Sequence, residues 1–480
     1  MFSWPARCLL VLTVWLNACP AWAQSADADP STWFDRMRSG LGIVLIVGLA
    51  WLVSSDRRRV DWRLVSIGLS LQIMLAVLVL SPLGQLTFGA VNDGVKGLLA
   101  FSNEGATFVF GRLADSYSLP VGGSVVPTPT PPTEAWLESA RRAPVAVGPG
   151  TTSGFVEVGA WIAFNVLPTI VFFSSLMAVL YHVGIMPRII VAIAWAMRRT
   201  LRTGGAETLS AAGNIFVGQT EAPLLIRPFL QTMTRSELMA IMTAGFATVA
   251  GGVMVAYVQM LQPMFPNIAG HLLSASLMSA PAALVLAKIM VPESEDQVTD
   301  TSASDLKSTD TNIIDAAARG AGEGLQLALN VGAMLIAFVA LVALLNGALG
   351  ALGGVFGLPE LSLQKLLGWI LAPFAYFLGV PWADAAEIGS LLGVKTVINE
   401  FVAYAQLSAI SPDLTSARSG LIAVYALCGF ANLGSIGIQL GGIGPLCPAR
   451  RPDLAQLALR AMIAGNLAAC MTGAVIGVLN

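Results

Sequence analysis

Long apolar runs recur through this chain at about residues 41–54, 64–83, 160–185, 238–261, 272–291, 325–352, 420–440 and 457–479. A bilayer core about 30 Å thick takes roughly 20 apolar residues of helix to cross, and within it every backbone amide must find a partner inside the protein. These runs confine the fold to a bundle of membrane helices, and eight spans are predicted. Composition agrees. Of the residues, 55% are apolar and 11% charged, with a mean hydropathy of +0.74, whereas soluble domains carry about 25% charged residues. With 26 Lys and Arg against 28 Asp and Glu, the chain offers no basic field for a nucleic acid polymer.

The amino terminus reads as an export signal. Residues 1–23 hold Arg7, an apolar stretch at 9–16 and Ala21-Trp22-Ala23 ahead of a polar segment, the grammar of a cleaved signal peptide. A retained anchor, or a lipid anchor at Cys19, is the alternative. Orientation follows from Lys and Arg in short loops, which stay cytoplasmic. Arg57, Arg58, Arg59 and Arg63 follow the first mature span, Arg188, Arg198, Arg199 and Arg202 lie on an apolar stretch suited to the inner surface, and Arg450 and Arg451 precede the last span. Both termini of the mature chain are therefore expected outside a bacterial inner membrane.

The chain divides accordingly. Residues 24–111 carry the first spans and 112–153 an external loop stiffened by Pro127, Pro129, Pro131 and Pro132. A span and an interfacial helix occupy 154–203, and 204–292 is a first functional half. A polar cytoplasmic linker covers 293–318, a further span with an external interfacial helix 319–382, and a second functional half 383–480. Cys428, Cys447 and Cys470 lack metal-ligand spacing and read as packing residues. The two histidines, His182 and His271, stand at span ends and read as interface residues.

Chemistry concentrates on two acids. An ionised carboxylate at bilayer depth costs at least ~2.5 kcal/mol, so it is paired or lines an aqueous path. Glu221 lies in Gly218-Gln219-Thr220-Glu221-Ala222-Pro223, where Pro223 prevents a regular helix, and Glu400 lies in Asn399-Glu400-Phe401-Val402-Ala403-Tyr404. Around them, 206–230 and 383–408 are poor as ordinary spans and are predicted to be re-entrant or broken helices. Pairing of Glu400 with Lys395 is the structural alternative. After each broken region comes a span with small and polar residues at its centre, Ala247-Thr248-Val249-Ala250-Gly251-Gly252 and Gly429-Phe430-Ala431-Asn432-Leu433-Gly434-Ser435. Each half reads hairpin, interrupted span, plain span, with opposite topology. Such inverted repeats place a binding site near mid-membrane between the breaks. Carboxylates from Glu221 and Glu400, carboxamides from Gln219 and Asn432, and hydroxyls from Thr220 and Ser435 would repel an anion. They suit a neutral polyhydroxylated ligand with an amide-like ring.

At these residues the sequence closely resembles the concentrative nucleoside transporter family. The likeness is carried by Phe164-Asn165-Val166-Leu167-Pro168-Thr169-Ile170, by 214–223, by 399–404 and by 428–435, and runs from about residue 40 to the end apart from the two polar linkers. It implies an all-α polytopic membrane protein of about eight spans plus two re-entrant hairpins, working as an elevator-type carrier and assembled as a homotrimer. It implies that Gln219, Thr220 and Glu221 face a nucleobase and that Glu400, Asn432 and Ser435 hold ribose hydroxyls, with Val253 and Phe430 in the same substrate set. It implies a sodium site from the Asn214 side chain, the Val217 and Val249 carbonyls, and Thr248. Gly252 and Gly434 depart from the family, which frequently has Ser there, and leave base preference open. The expected function is sodium-coupled nucleoside import, with no catalytic residues and no cofactor beyond the coupling ion. Proton coupling is the alternative; a passive channel and an intramembrane enzyme fit the pattern less well.

Overall fold

A computed structural model of the chain describes residues 33–111, 117–121, 154–158, 162–265, 267–294 and 310–480. The expected export signal at 1–23 and the proline-rich stretch of the external loop lie outside the described residues. Where that loop is described, Tyr117–Val121 (β1) pairs antiparallel with Gly154–Val158 (β2), so its two ends close as a ribbon where a linker was expected.

The first helices follow from local signals. Trp33–Leu52 (α1) precedes Trp62–Leu80 (α2), whose start is capped by the Asp61 carboxylate, an acceptor for the Arg63 and Leu64 amides. Ser81 caps Pro82–Phe110 (α3), with Pro82 at its first position. This 29-residue helix is not among the predicted spans because Asn92, Asp93, Lys96 and Glu104 dilute its apolar pattern. Leu167–His182 (α4) and Ile185–Leu201 (α5) follow, joined through Gly184 in the left-handed conformation.

Two similar series then appear. The first runs Gly205–Gly213 (α6), an irregular segment 214–221, a 3-10 stretch Ala222–Phe229, Arg235–Ala247 (α7), Gly251–Leu261 (α8) and Ile268–Met290 (α9). After Ile313–Val355 (α10) and Leu363–Leu378 (α11), the second runs Trp382–Val397 (α12), Glu400–Ile410 (α13), Ala417–Leu427 (α14), Leu433–Ile443 (α15) and Arg451–Leu479 (α16). Thr234 and Glu237 form a reciprocal capping box that starts α7, and Asn432 accepts from the Ser435 amide to start α15. Among the described residues six helices, counting α7 and α8 as one, are long and apolar enough to cross a membrane, and a seventh candidate is α11 with α12, bent by 114°. The other two expected spans are α1 and the broken pair α14 and α15. The protein is a multi-pass membrane protein.

Burial separates inner from outer helices. The apolar windows of α9 and α16 are 89% and 83% buried, whereas that of α10 is 6% buried. On its one covered face α10 packs against α4 through glycines. A Cβ at Gly320 would lie 2.6 Å from the Ala178 Cβ and 2.7 Å from the Ser174 carbonyl oxygen, and one at Gly324 would lie 2.8 Å from the Val171 Cα. Small residues four apart let two membrane backbones approach in this way, and Ser175 Oγ donates to the Ala317 carbonyl at 2.9 Å across the seam. Gly322, on the same helix, faces open space. Gly320→Ala is therefore expected to lower stability by about 1–3 kcal/mol through overpacking. Gly322→Ala should leave the melting temperature in detergent unchanged or raised, and equal melts for the two variants would refute the seam.

Candidate functional site

The centre of the molecule is built from chain breaks. Past Ala247 the backbone turns extended at Thr248 and resumes as helix at Gly251. Past Leu427 it turns extended at Cys428 and resumes at Leu433. The two breaks touch, because the Phe430 amide donates to the Thr248 carbonyl at 3.4 Å. Gly429 makes this approach possible. Its φ of +139° suits glycine, and a Cβ there would lie 2.9 Å from the Phe246 and Ala247 carbonyl oxygens. Asn466 of α16 closes the back by donating from Nδ2 to the Ala431 carbonyl at 2.7 Å.

Around this crossing the structure gathers most of the predicted residues. Glu400, 3% exposed, opens α13 and accepts from two side chains: Tyr257 Oη at 2.8 Å and Asn432 Nδ2 at 3.2 Å. Asn432 in turn caps α15 by accepting from the Ser435 amide at 2.9 Å, and Ser435 is buried beside it. Phe430 is half-buried and Val253 buried. On the other side the hairpin tip is a closed turn. The Glu221 amide donates to the Gly218 carbonyl at 3.0 Å, and the Glu221 carboxylate accepts from the Gly218 amide at 3.2 Å. Glu221 is exposed, Thr220 half-buried and Gln219 buried. Gln219 Oε1 accepts from Gln439 Nε2 at 3.1 Å. One helix thus reaches both sides: α15 meets Glu400 through Asn432 and the tip at Gln219 through Gln439, seven residues on and about 10 Å along the axis.

A second cluster lies where the tip meets the first break. The Gly251 amide donates to the Phe216 carbonyl at 2.9 Å, which sets 214–217 against 248–251. Thr248 Oγ1 donates to the Ala244 carbonyl at 2.9 Å, and Asn214 Nδ2 to the Ser210 carbonyl at 3.1 Å. Asn214 Oδ1 is buried with no hydrogen-bond partner among the described residues. A buried carbonyl-type oxygen without a donor is costly unless a cation or water meets it. An oxygen-rich cluster of this kind matches the chemistry of a small hard cation.

Several expectations change. Lys395 does not pair with Glu400; buried on α12, it donates from Nζ to the Ala426 carbonyl at 3.0 Å, near the carboxyl end of α14. His271, half-buried in the first turn of α9, also has an internal partner, because Nδ1 lies 3.0 Å from Oη of the buried Tyr425. The linker from 293 does not begin in solvent, since Glu293 pairs with Lys288 at 3.0 Å and accepts from Thr234 Oγ1 at 3.1 Å. Cys428, Cys447 and Cys470 are buried free thiols.

Other residues escaped the sequence reading. Lys288 of α9 pairs with the fully buried Glu207 of α6 at 2.9 Å. Tyr257 and Gln439 complete the site, yet a tyrosine and a single amide on apolar helices resemble ordinary packing residues. Gln439 did leave a trace as the lone carboxamide between Gly437 and Gly441.

The geometry has close counterparts among known proteins. The family models for the Na+ dependent nucleoside transporter match residues 41–113 at the N-terminus and 271–477 at the C-terminus, and a nucleoside recognition model matches 163–264. Nucleoside permease NupC of Helicobacter pylori is 38% identical over 450 residues, covering 92% of this chain and 98% of that protein. The chain belongs to the concentrative nucleoside transporter family. Mouse Sodium/nucleoside cotransporter 1 is 37% identical over 463 residues, covering 93% of this chain and 64% of that protein. The structure of CNTnw in an inward-facing substrate-bound state superposes with a TM-score of 0.79 at 41% identity, covering 92% of this chain and 97% of that one. The relatives are carriers and not enzymes. As a member of this family, the chain is expected to lose substrate affinity by about tenfold or more in Tyr257→Phe, which removes a donor to a buried carboxylate. Isothermal titration of purified carrier would measure this, and unchanged affinity would place Glu400 outside the ligand site.

Proposed function

We propose that this protein is a sodium-coupled importer of nucleosides. The observation that carries the reading is the span of α15, which joins the Glu400–Asn432 pair to the Gln219 amide about 10 Å away. A nucleoside has matching chemistry at its two ends. Its ribose hydroxyls donate to a carboxylate and accept from a carboxamide, and its base carries an edge of amide-like donors and acceptors. In this reading Glu400, Asn432 and Ser435 hold the ribose, Gln219, Thr220 and Glu221 read the base, and Val253 and Phe430 give the rings apolar contact.

Sodium is held by Asn214 Oδ1, Thr248 Oγ1 and the Val217 and Val249 carbonyls. The unpaired Asn214 Oδ1 supports this assignment. Binding the ion fixes 214–217, and the same irregular segment continues into Gln219. Sodium and nucleoside therefore favour each other's binding, with equal effect in both directions. The two halves, 204–292 and 383–480, form the body that moves in an elevator-like cycle. The remaining helices form a scaffold, and its exposed apolar α10 faces lipid and neighbouring copies in a homotrimer. The protein sits in a bacterial inner membrane with both termini outside.

Uptake of labelled uridine into proteoliposomes under separate sodium and proton gradients tests the coupling. Accumulation is expected with sodium alone; accumulation with protons alone would replace sodium by a proton. Asn214→Ala should raise the half-saturating sodium concentration by about tenfold or more. Glu400→Gln and Glu221→Gln should each lower uptake by at least about tenfold in correctly inserted protein. Parental uptake in both would remove the two acids from the site.

A further inference from the structure

Gln439 is fully buried on α15 and its amide nitrogen meets two oxygens, the Met242 carbonyl at 2.9 Å and Gln219 Oε1 at 3.1 Å. A backbone carbonyl can only accept. The Gln439 atom facing Met242 is therefore Nε2, and since the same atom faces Gln219, the Gln219 atom opposite must be the oxygen. One immovable acceptor on α7 thus fixes the direction of both amides. Gln219 keeps only its Nε2 for a ligand, and that nitrogen has no protein partner among the described residues.

The surroundings are shaped for this relay. A Cβ at Gly245, one turn after Met242, would lie 2.7 Å from Gln439 Nε2 and 3.0 Å from the Gln219 Cβ. A Cβ at Gly442, one turn after Gln439, would lie 3.0 Å from the Thr220 Cβ. Two glycines on separate helices thus leave the space that the Gln439 and Gln219 amides and Thr220 occupy. Gln439 comes from the second half of the chain, Gln219 and Met242 from the first.

We propose that Gln439 is a positioning residue that sets the polarity of base recognition. By engaging the oxygen of Gln219 it turns that side chain into a donor only, so the carrier selects nucleosides whose base offers a carbonyl acceptor, and not an amino group, at the position it meets. The proposal rests on the assignment of Gln219 to the base. Uridine presents a carbonyl oxygen at position 4 where cytidine presents an amino group, so the two nucleosides report the polarity directly.

The test uses full-length carrier in proteoliposomes with a sodium gradient, measuring KM and Vmax for uridine and cytidine. The parent is expected to prefer uridine. Gln439→Leu frees the Gln219 amide to turn, and should raise the uridine KM by about tenfold with Vmax within about twofold, so that the two substrates become nearly equal. Gln439→Glu has almost the same shape, but its buried carboxyl keeps its proton and has a single O–H, taken by the Met242 carbonyl, where the amide has two N–H groups. It forces Gln219 to turn its nitrogen inward and its oxygen toward the ligand, and should shift preference toward cytidine. If either variant fails to fold, Gln219→Glu in the parent background keeps the acceptor that Gln439 needs. It should melt like the parent while losing the uridine preference. A fall in Vmax with the uridine-to-cytidine ratio unchanged across these variants would make Gln439 a packing residue and overturn the proposal. Absence of saturable nucleoside uptake by the parent would instead overturn the functional reading beneath it.

Discussion

The contact on which the site depends is the meeting of two broken helices at Thr248 and Phe430. A break inside a bilayer frees backbone amides and carbonyls in a medium that cannot solvate them, at several kcal/mol for each unsatisfied group. Here each break supplies part of what the other lacks. The Phe430 amide bonds the Thr248 carbonyl, the Gly251 amide bonds the Phe216 carbonyl, and Asn466 covers the Ala431 carbonyl. Remove any of these and the polar centre loses the reason it is tolerated. The demand for close backbone approach also explains why glycine stands at 429 and 465, where a side chain would run into Phe246 or Ala247.

The same logic operates at the far ends of the two halves. In the first, Glu207 near the start of α6 bonds the Gly204 amide and Lys288 of α9. Glu237 caps α7, and Glu293 joins Lys288 to Thr234. In the second, Asp384 near the start of α12 accepts from the Thr415 amide and Oγ1, and from Ser419. Arg418 of α14 donates to the Gly379, Gly477 and Asn480 carbonyls. In both halves a buried acid at the hairpin's root is held by the opening of the broken helix or the end of the plain one. A buried charge is costly unless its partners are complete, and losing one partner of such a pair is worth about 3–5 kcal/mol. These roots therefore anchor each hairpin as a rigid piece, while the irregular segment at 214–221 carries the adaptable groups.

Much of this was legible in sequence, for identifiable reasons. Apolar run length marked the spans, and Pro223 and the two acids marked the broken regions, because bilayer physics makes such residues expensive anywhere else. The grouping of Glu400 with Asn432 followed from both lying in polar interruptions. What escaped were groups whose roles depend on a distant partner. Tyr257 acquires its role only through Glu400, 143 residues away, and Gln439 only through Gln219, 220 away. The partner of Lys395 was hidden for the same reason: in sequence its neighbour Glu400 offers the obvious counter-charge, the alternative that the structure removes. A carbonyl near the carboxyl end of α14 lies within hydrogen-bond reach, and its partial negative charge suits the Nζ donor.

That lysine also explains why the two halves are not equivalent. Each broken helix ends its first segment in carbonyls that point toward the break, a concentration of negative potential in a low-dielectric interior. In the second half a covalently tethered donor, Lys395 Nζ, lies on one of them and is carried by α12. In the first half the counterpart of α12 is α6, which ends at Gly213, and the residue that follows is Asn214, whose side-chain oxygen has no partner among the described residues. An asparagine adds an acceptor where the other half has a donor. On the proposed reading, a free ion that meets Asn214 Oδ1 does in the first half what the Lys395 side chain does in the second. On the proposed sodium-coupled reading, the dependence on a dissociable cation is confined to the hairpin that also carries Gln219 and Glu221, where its binding bears on substrate affinity.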